Sequence, residues 1–229
     1  MSTIKVILGD CMDVMAQYEP KHFDLAVVDP PYGIDLARMR MGIGKSKKCS
    51  KIQNRKWLPK SWDNKAPSKL YFNELTRISK NQIIWGGNYF DLKPCKNYII
   101  WDKEIPNGLS FSDCEMAWTS FDNAPKMFRY SAYLDKVNKF HPTQKPVALY
   151  DWIYAKYLPE GGKVLDTHGG SMSNVISWIK AGNIDGVCTE IDPDYFHDAK
   201  KRIQNFLAQQ DMFRNPVTVE FIENKMSMK

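Results

Sequence analysis

Residues 23–33 read FDLAVVDPPYG: a nearly unbroken apolar run ends on Asp29, and two prolines and Tyr32 follow. A buried strand needs no carboxylate at its exit and no stiffened pair of residues after it. Proline holds φ at about −65° and keeps the residue before it extended. Asp29 and the carbonyl of Pro30 are therefore a rigid pair of hydrogen-bond acceptors, with Pro31 leading to an aromatic face at Tyr32. Two fixed acceptors suit an exocyclic amino group, which is a poor nucleophile because its lone pair is delocalised into the ring. Taking both N–H hydrogens favours a pyramidal nitrogen with the lone pair aimed at an electrophile, and preorganised acceptors act where charge develops in the transition state. An adenine or cytosine amino group is unreachable inside a duplex, so such a base would have to leave the stack. Taken alone, the same four residues also read as a strand-to-loop turn with a capping Asp.

A second segment, KVLDTHGGSMS at 163–173, ends an apolar strand on Asp166, turns through Gly169 and Gly170, and opens a helix near Ser173. In open α/β sheets ligands bind beyond the carboxyl ends of the strands. Glycines allow close backbone approach there, and the following helix N-terminus favours an anion. The next strand, GVCTEID, closes with Glu190, 24 positions after Asp166. An acid at that place can accept both hydroxyls of a ribose, and Asp166 could receive an ammonium. Ribose, ammonium and carboxylate together describe S-adenosylmethionine. A dinucleotide would call for GxGxxG, which HGGSMS does not supply. In HPTQKP at 141–146, Thr143 has a purely local reading as the cap of a helix that Pro146 helps to start.

These residues need elements to position them. Short β-rich apolar runs predict strands at Ile4–Leu8, Phe23–Val28, Gln82–Trp85, Tyr98–Trp101, Lys163–Leu165 and Gly186–Thr189. Helical patterns fall at Cys11–Tyr18, Leu70–Ser79, Val147–Leu158, Asn174–Ala181 and Tyr195–Leu207. Alternation of this kind predicts a mostly parallel sheet covered on both faces. The stretch from Tyr98 to Phe121 has strand character, a Pro106–Asn107–Gly108 turn and no helix, which suggests an antiparallel pair. Residues 1–229 read as a single domain carrying a long insertion at about 36–69.

That insertion concentrates the charge. Between Leu36 and Lys69 eleven Lys or Arg face one acid, Asp63, whereas the remainder carries 21 basic and 25 acidic residues. A polyanion suits such a segment, because each cation that neutralises a phosphate releases counterions; a merely solvated loop is the plainer reading. Arg38, Arg40, Lys45, Lys47, Lys48, Lys51 and Arg55 are the candidate nucleic-acid contacts. The five cysteines lack CxxC spacing, and no His/Cys/Asp cluster has ligand spacing, so neither a disulfide framework nor a metal site is expected. That pattern suits a reducing cytoplasm, and no membrane span or signal peptide is expected.

DPPY at 29–32 resembles the catalytic motif of the amino-directed DNA methyltransferases, which act on adenine N6 or cytosine N4. LGDCMDVM at 8–15 resembles the segment upstream of that motif, and HPTQKP a cofactor-site motif. VLDTHGGS at 164–171 resembles the family's glycine loop, and TEIDPDYFHDAKKRI at 189–203 its ribose-binding strand and helix. Their order is that of the circularly permuted β class, and the resemblance spans most of residues 4–207. It implies a Rossmann-like methyltransferase fold with a mostly parallel seven-stranded sheet and helices on both faces. It also implies S-adenosylmethionine as cofactor, a flipped base in duplex DNA as substrate, and catalysis by Asp29, Pro30, Pro31 and Tyr32. Asp10, Cys11, His141, Thr143, Lys145, Asp166, Gly170, Ser171, Ser173 and Glu190 are expected around the cofactor, Asp10 at its adenine amino group. DPPY rather than SPPY is associated with adenine in this family, and a homodimer is compatible with it.

The chain departs from the family pattern in two places. The usual loop is close to DPFxGSGT; here Thr167 replaces a proline, His168 an aromatic and Met172 a glycine. If the glycine needed positive φ, methionine would be strained there. Cofactor binding is nonetheless expected, because Asp166 and Glu190 remain. Secondly, only residues 121–140 are available for target recognition, so the basic insertion is expected to share the DNA work. Lysine-to-glutamine changes at Lys45, Lys47, Lys48 and Lys51 should weaken DNA binding and flatten its salt dependence in filter-binding titrations. Unchanged binding would reduce the segment to a solvated linker.

Overall fold

The computed structural model describes residues 2–34, 63–106, 112–131, 134, 139–141, 143–209 and 216–223. The candidate contacts Arg38, Arg40, Lys45, Lys47, Lys48, Lys51 and Arg55 lie outside these residues. The strands are β1 (Ser2–Leu8), β2 (Phe23–Val28), β3 (Ser79–Trp85), β4 (Tyr98–Asp102), β5 (Cys114–Thr119), β6 (Lys126–Arg129), β7 (Lys163–Asp166), β8 (Asp185–Glu190) and β9 (Val217–Glu223). The helices are α1 (Cys11–Met15), α2 (Lys69–Ile78), α3 (Val147–Tyr157), α4 (Ser173–Ala181) and α5 (Pro193–Ala208).

All the described strands join one sheet in the order β6-β4-β5-β3-β2-β7-β8-β1-β9. β5 runs antiparallel to both β3 and β4, and the remaining pairings are parallel. The antiparallel pair expected between Tyr98 and Phe121 is β4 with β5. Among the described residues the sheet has nine strands, where seven were expected. The two unforeseen ones, β6 and β9, lie at its edges, where a strand needs neither a long apolar run nor burial on both faces. β6 is a four-residue strand, mostly exposed, inside the 121–140 segment expected to recognise the target. β9 alternates, turning Val217, Val219 and Phe221 toward one core and Ile222 toward the other.

Alternation along the strands supplies two cores. On β2, Leu25 and Val27 face a layer containing α3, α4 and α5, and Ala26 and Val28 face α1 and α2. Leu149, Ile153 and Tyr154 of α3, Val175 and Trp178 of α4, and Phe196 and Ile203 of α5 fill the first side. Tyr71, Leu75 and Ile78 of α2 fill the second. Fully burying a large aliphatic or aromatic side chain stabilises by about 1.5–3 kcal/mol, so helices on both faces secure the sheet.

Local signals set the helix ends nearest the strand exits. Asp10 accepts from the N–H of Met12 at 2.7 Å and starts α1. Asp192 accepts from the N–H groups of Asp194 and Tyr195, with Pro193 in the first turn of α5. α1 stops at Met15, short of the expected Tyr18, because Gln17 and Tyr18 donate three residues back and tighten the chain out of the helix.

Gly186 shows how closely β8 and α4 are packed: a Cβ there would sit 2.4 Å from Trp178 Cε3, and Trp178 is fully buried. Gly186→Ala should therefore cost about 1–3 kcal/mol in urea unfolding, as overpacking does. Wild-type stability in that variant would mean that the indole can move aside.

Candidate active site

β2 and β7 are neighbours in the middle of the sheet, paired Leu25 to Val164 and Ala26 to Leu165. Their carboxyl ends therefore bring the Asp29 corner beside the glycine loop. Asp29 is engaged at both oxygens. Oδ1 accepts from the Tyr32 hydroxyl at 2.7 Å, and Oδ2 accepts from Lys145 Nζ at 2.5 Å. Burial and the neighbouring Asp29 carboxylate push the Tyr32 hydroxyl well above its usual range, so it remains a donor.

Asp63, fully buried, holds the turn from beneath: its Oδ1 accepts from the backbone N–H of Tyr32 at 2.7 Å and of Gly33 at 3.0 Å. The Tyr32 ring lies directly on the backbone of Gly86, whose φ is +67°; a Cβ there would fall 2.2 Å from Tyr32 Cε1. Only glycine permits both that φ without strain and that approach. Tyr89, half exposed, stacks on Tyr32 at 4.9 Å with a 10° interplanar angle, and Phe90 meets it edge-on.

Lys145 is 3% exposed and lies at the centre of a chain of charges. Besides Asp29 it contacts Glu115 Oε2 at 3.1 Å, and its ammonium rests 5.1 Å from the centroid of the Trp85 ring. Lys103 holds Glu115 Oε1 at 2.7 Å. Burial alone would lower the Lys145 pKa, but Asp29 and Glu115 outweigh it and raise it. Burial would raise Glu115, but Lys145 and Lys103 hold it down at about 2. Lys145 and Glu115 are therefore both charged at neutral pH.

A cavity of about 330 Å³ opens at these strand ends. Asp29, Pro31, Lys145 and Tyr150 line one part of it; Asp10, Cys11, Glu190, Tyr195 and the loop from Thr167 to Ser171 line the rest. Of the expected cofactor residues, Asp10, Cys11, His141, Thr143, Lys145, Gly170, Ser171 and Glu190 border this one space. Asp166 and Ser173 do not. Asp166 is 2% exposed and binds the loop to α4, accepting from the His168 N–H at 2.9 Å and from Asn174 Nδ2 at 2.6 Å. Burial raises its carboxyl to about 8. Ser173 is buried between Ser171 Oγ and the Arg202 guanidinium. Pro30 is buried behind the corner, and Tyr32 lies outside the cavity lining.

The cavity wall is built from mutual constraints. Glu190 accepts from the Gly170 N–H at 2.7 Å and from the Asp192 N–H at 2.8 Å, joining the glycine loop to the start of α5. Burial raises its pKa. His141 packs edge-on against Tyr195 at 4.4 Å, and its Nδ1 lies 3.2 Å from Thr143 Oγ1. Burial, with Lys145 adding to it, lowers His141 to about 3. Burial also lowers His168 to about 4 and, with the nearby Asp10 charge, raises Cys11 to about 12. The loop substitutions are tied in by a chain of their own: Tyr71 hydroxyl to Thr167 Oγ1 at 2.6 Å, and Thr167 Oγ1 to His168 Nδ1 at 2.9 Å.

No protein-family model matches the chain, and no curated protein sequence matches it. Solved structures do. The M1.HpyAVI–SAM complex is 17% identical at a TM-score of 0.54, the match covering 87% of this chain and 98% of that one. TTHA0409, a putative DNA modification methylase from Thermus thermophilus complexed with S-adenosyl-L-methionine, is 14% identical at 0.53, covering 95% and 99%. PvuII DNA methyltransferase (cytosine-N4-specific) is 12% identical at 0.57, covering 96% and 95%. The chain has a methyltransferase fold.

Within that methyltransferase fold Met172 does take the left-handed conformation, with φ +54° and ψ +38°, as the residue before α4. A non-glycine residue there costs on the order of 1–3 kcal/mol. Its side chain is fully buried in the core that also holds residues of α3, α4 and α5, and a methionine in that setting is worth about 2–5 kcal/mol over a small residue. Packing thus offsets the backbone strain that the sequence pattern implied.

Sequence reasoning passed over Asp63, Gly86, Tyr89 and Glu115. Asp63 had a signal, as the one acid in a strongly basic stretch, and so did Glu115, an acid in the apolar strand CEMAWT. Among the described residues no group of three or more His, Cys, Asp or Glu is placed to hold a metal.

His141 carries a pH dependence of stability. Its pKa falls from an ordinary 6.5 to about 3 on folding, so the unfolded chain takes up the proton first. The stabilisation is complete above 6.5 and is lost toward pH 3, at about 1.4 kcal/mol per pH unit inside the window. Asp166 acts in the opposite sense: its raised pKa makes stability fall as pH rises from 3.8 to about 8. That contribution is common to wild type and His141→Gln and cancels between them. Urea unfolding at pH 6.5 and pH 4.5 should therefore show a smaller acid loss in His141→Gln than in wild type. Equal losses would place the His141 ring in solvent.

Proposed function

We propose that this chain transfers a methyl group from S-adenosylmethionine to the exocyclic amino group of a base in DNA, with adenine N6 as the target. One observation carries the reading: a single cavity is bordered both by Glu190 and the glycine loop and by Asp29 and Pro31. A cofactor site and an amino-group acceptor site that share one space bring electrophile and nucleophile together. The cavity volume of about 330 Å³ falls within the ~300–1,000 Å³ of small-molecule sites.

The residues present suit this cofactor. In this reading Glu190, at the end of β8, takes the ribose hydroxyls and Asp10, just past β1, the adenine amino group; that both border the cavity supports it. His141 and Tyr195 provide an aromatic wall. Asp166 differs from the expectation: it orders the glycine loop through His168 and Asn174 and does not border the cavity. When bound, S-adenosylmethionine supplies a methyl group on a positively charged sulfur. Asp29 then acts on the other reactant, accepting one N–H of the amino group; the second acceptor expected from the DPPY resemblance, the Pro30 carbonyl, belongs to a residue that does not itself border the cavity. Lys145 holds Asp29 in place. The aromatic pair Tyr32 and Tyr89 offers a surface for a base outside the duplex, and the basic segment between Leu36 and Lys69 supports a DNA substrate. The choice of adenine rests on the resemblance of DPPY.

The test is methyl transfer from isotope-labelled S-adenosylmethionine to unmethylated duplex DNA, followed by digestion and mass spectrometry of the nucleosides. Labelled N6-methyladenine is expected, reduced by about 10²–10³-fold or more in Asp29→Ala, the range seen when a preorganised transition-state partner is removed. Label on cytosine N4 would change the target and keep the mechanism. Binding of S-adenosylmethionine without label on any base would overturn the assignment.

A further inference from the structure

We propose that Glu115, held by Lys103, is a positioning residue for the reaction, acting on Asp29 through Lys145. The inference rests on the function proposed above. Neither Glu115 nor Lys103 borders the cavity, so neither touches a bound reactant there. Both belong to the antiparallel part of the sheet. Glu115 sits in β5 opposite Trp101 of β4, and the backbone N–H of Lys103 donates to the Asp113 carbonyl, which sets Lys103 beside the start of β5.

The geometry gives each oxygen a separate task. Lys103 occupies Oε1 of Glu115 at 2.7 Å, and Oε2 faces Lys145 at 3.1 Å. Lys145 is thereby drawn between two carboxylates, one in the corner after β2 and one on β5, while its ammonium lies over the Trp85 ring. An ammonium on a flexible four-carbon stem has no directional preference of its own. With Asp29 as its one carboxylate partner it would be free to bridge both oxygens. The counter-pull of Glu115 confines it to Oδ2, leaving Oδ1 to a donor from the reaction side, the position now taken by the Tyr32 hydroxyl.

Stability alone is a poor reason for this arrangement. Buried ion pairs are often no more stabilising than apolar residues of similar volume, and β5 could pack its cavity-side end with an aliphatic side chain. A chain of four alternating charges ending on the acceptor carboxylate fixes a direction, which an apolar replacement would not.

Two measurements test the proposal separately from the function it rests on. In the first, crystal structures of wild type and Glu115→Gln are compared without DNA. The variant should show Lys145 Nζ shifted off Oδ2 to bridge both Asp29 oxygens, with the Tyr32 hydroxyl displaced. An unmoved Lys145 overturns the positioning role, whatever the enzyme's activity. In the second, kcat is normalised to the active fraction and set against KM and the calorimetric Kd for S-adenosylmethionine. Glu115→Gln should lose between about 10- and 100-fold in kcat, the scale of a small misplacement of a catalytic group, with KM and Kd for the cofactor unchanged. Lys103→Gln should move kcat in the same direction. The double variant Glu115→Gln/Lys103→Met removes one acid and one base together; it should stay slow. Recovery of kcat there would show that Glu115 only balances Lys103, and would overturn the proposal, as would a kcat loss matched by an equal loss of cofactor affinity. If wild type methylates no base, the function fails while the crystallographic comparison still decides the role of Glu115.

Discussion

The pairing of β2 with β7 governs the rest of the site. These strands come from distant parts of the chain and meet through only two registered residue pairs, yet that contact places the Asp29 corner and the glycine loop at adjacent strand ends. Neighbouring strands lie about 4.8 Å apart, so residues leaving them are within reach of one small ligand. The two-sided core makes this geometry stiff: slipping β2 by one residue would exchange Leu25 and Val27 with Ala26 and Val28 and turn both cores inside out. Register is thus specified by burial, and the site inherits its precision from the register.

Much of this was legible because chemistry-bearing residues stood where strand physics had no use for them. Asp29 and Glu190 end apolar runs, and the DPPY and glycine-loop segments each combine a strand exit with residues of restricted or unusual φ. Both lie at the expected strand ends, and eight of the ten expected cofactor residues, those from Asp10 to Glu190 apart from Asp166 and Ser173, border the same cavity. The helices on both faces followed from alternation and from the spacing of Leu149, Ile153 and Tyr154 or Phe196, Ala199 and Ile203.

What escaped was of two kinds. Edge strands carry weak local signals, because half of their surface is solvated and their pairing partner supplies the order; β6 and β9 are of this type. Which residues meet across the fold carries no local signal, even where Asp63 and Glu115 stand out in their own segments. That Asp63 would support the backbone of Tyr32 depends on how the segment before α2 returns to the end of β2, and that Gly86 would yield space to its ring, or Lys103 stand behind Glu115, depends on how β2, β3, β4 and β5 are ordered. Asp166 is instructive in a different way. Its place at a strand end suggested contact with a ligand, but a side chain there can equally turn inward and order its own loop, and Asn174 in the first turn of α4 supplies the partner that makes it do so.

The hydrogen bond between the Tyr32 hydroxyl and Asp29 also sets the terms of entry at the corner. With Lys145 on the other oxygen, an arriving N–H donor exchanges places with the phenol, one hydrogen bond made for one broken, and the difference in free energy is small. The exchange concerns the hydroxyl alone: the ring is held on one face by the bare backbone of Gly86 and on the other by Tyr89, so the tyrosine can give up a partner without giving up its place.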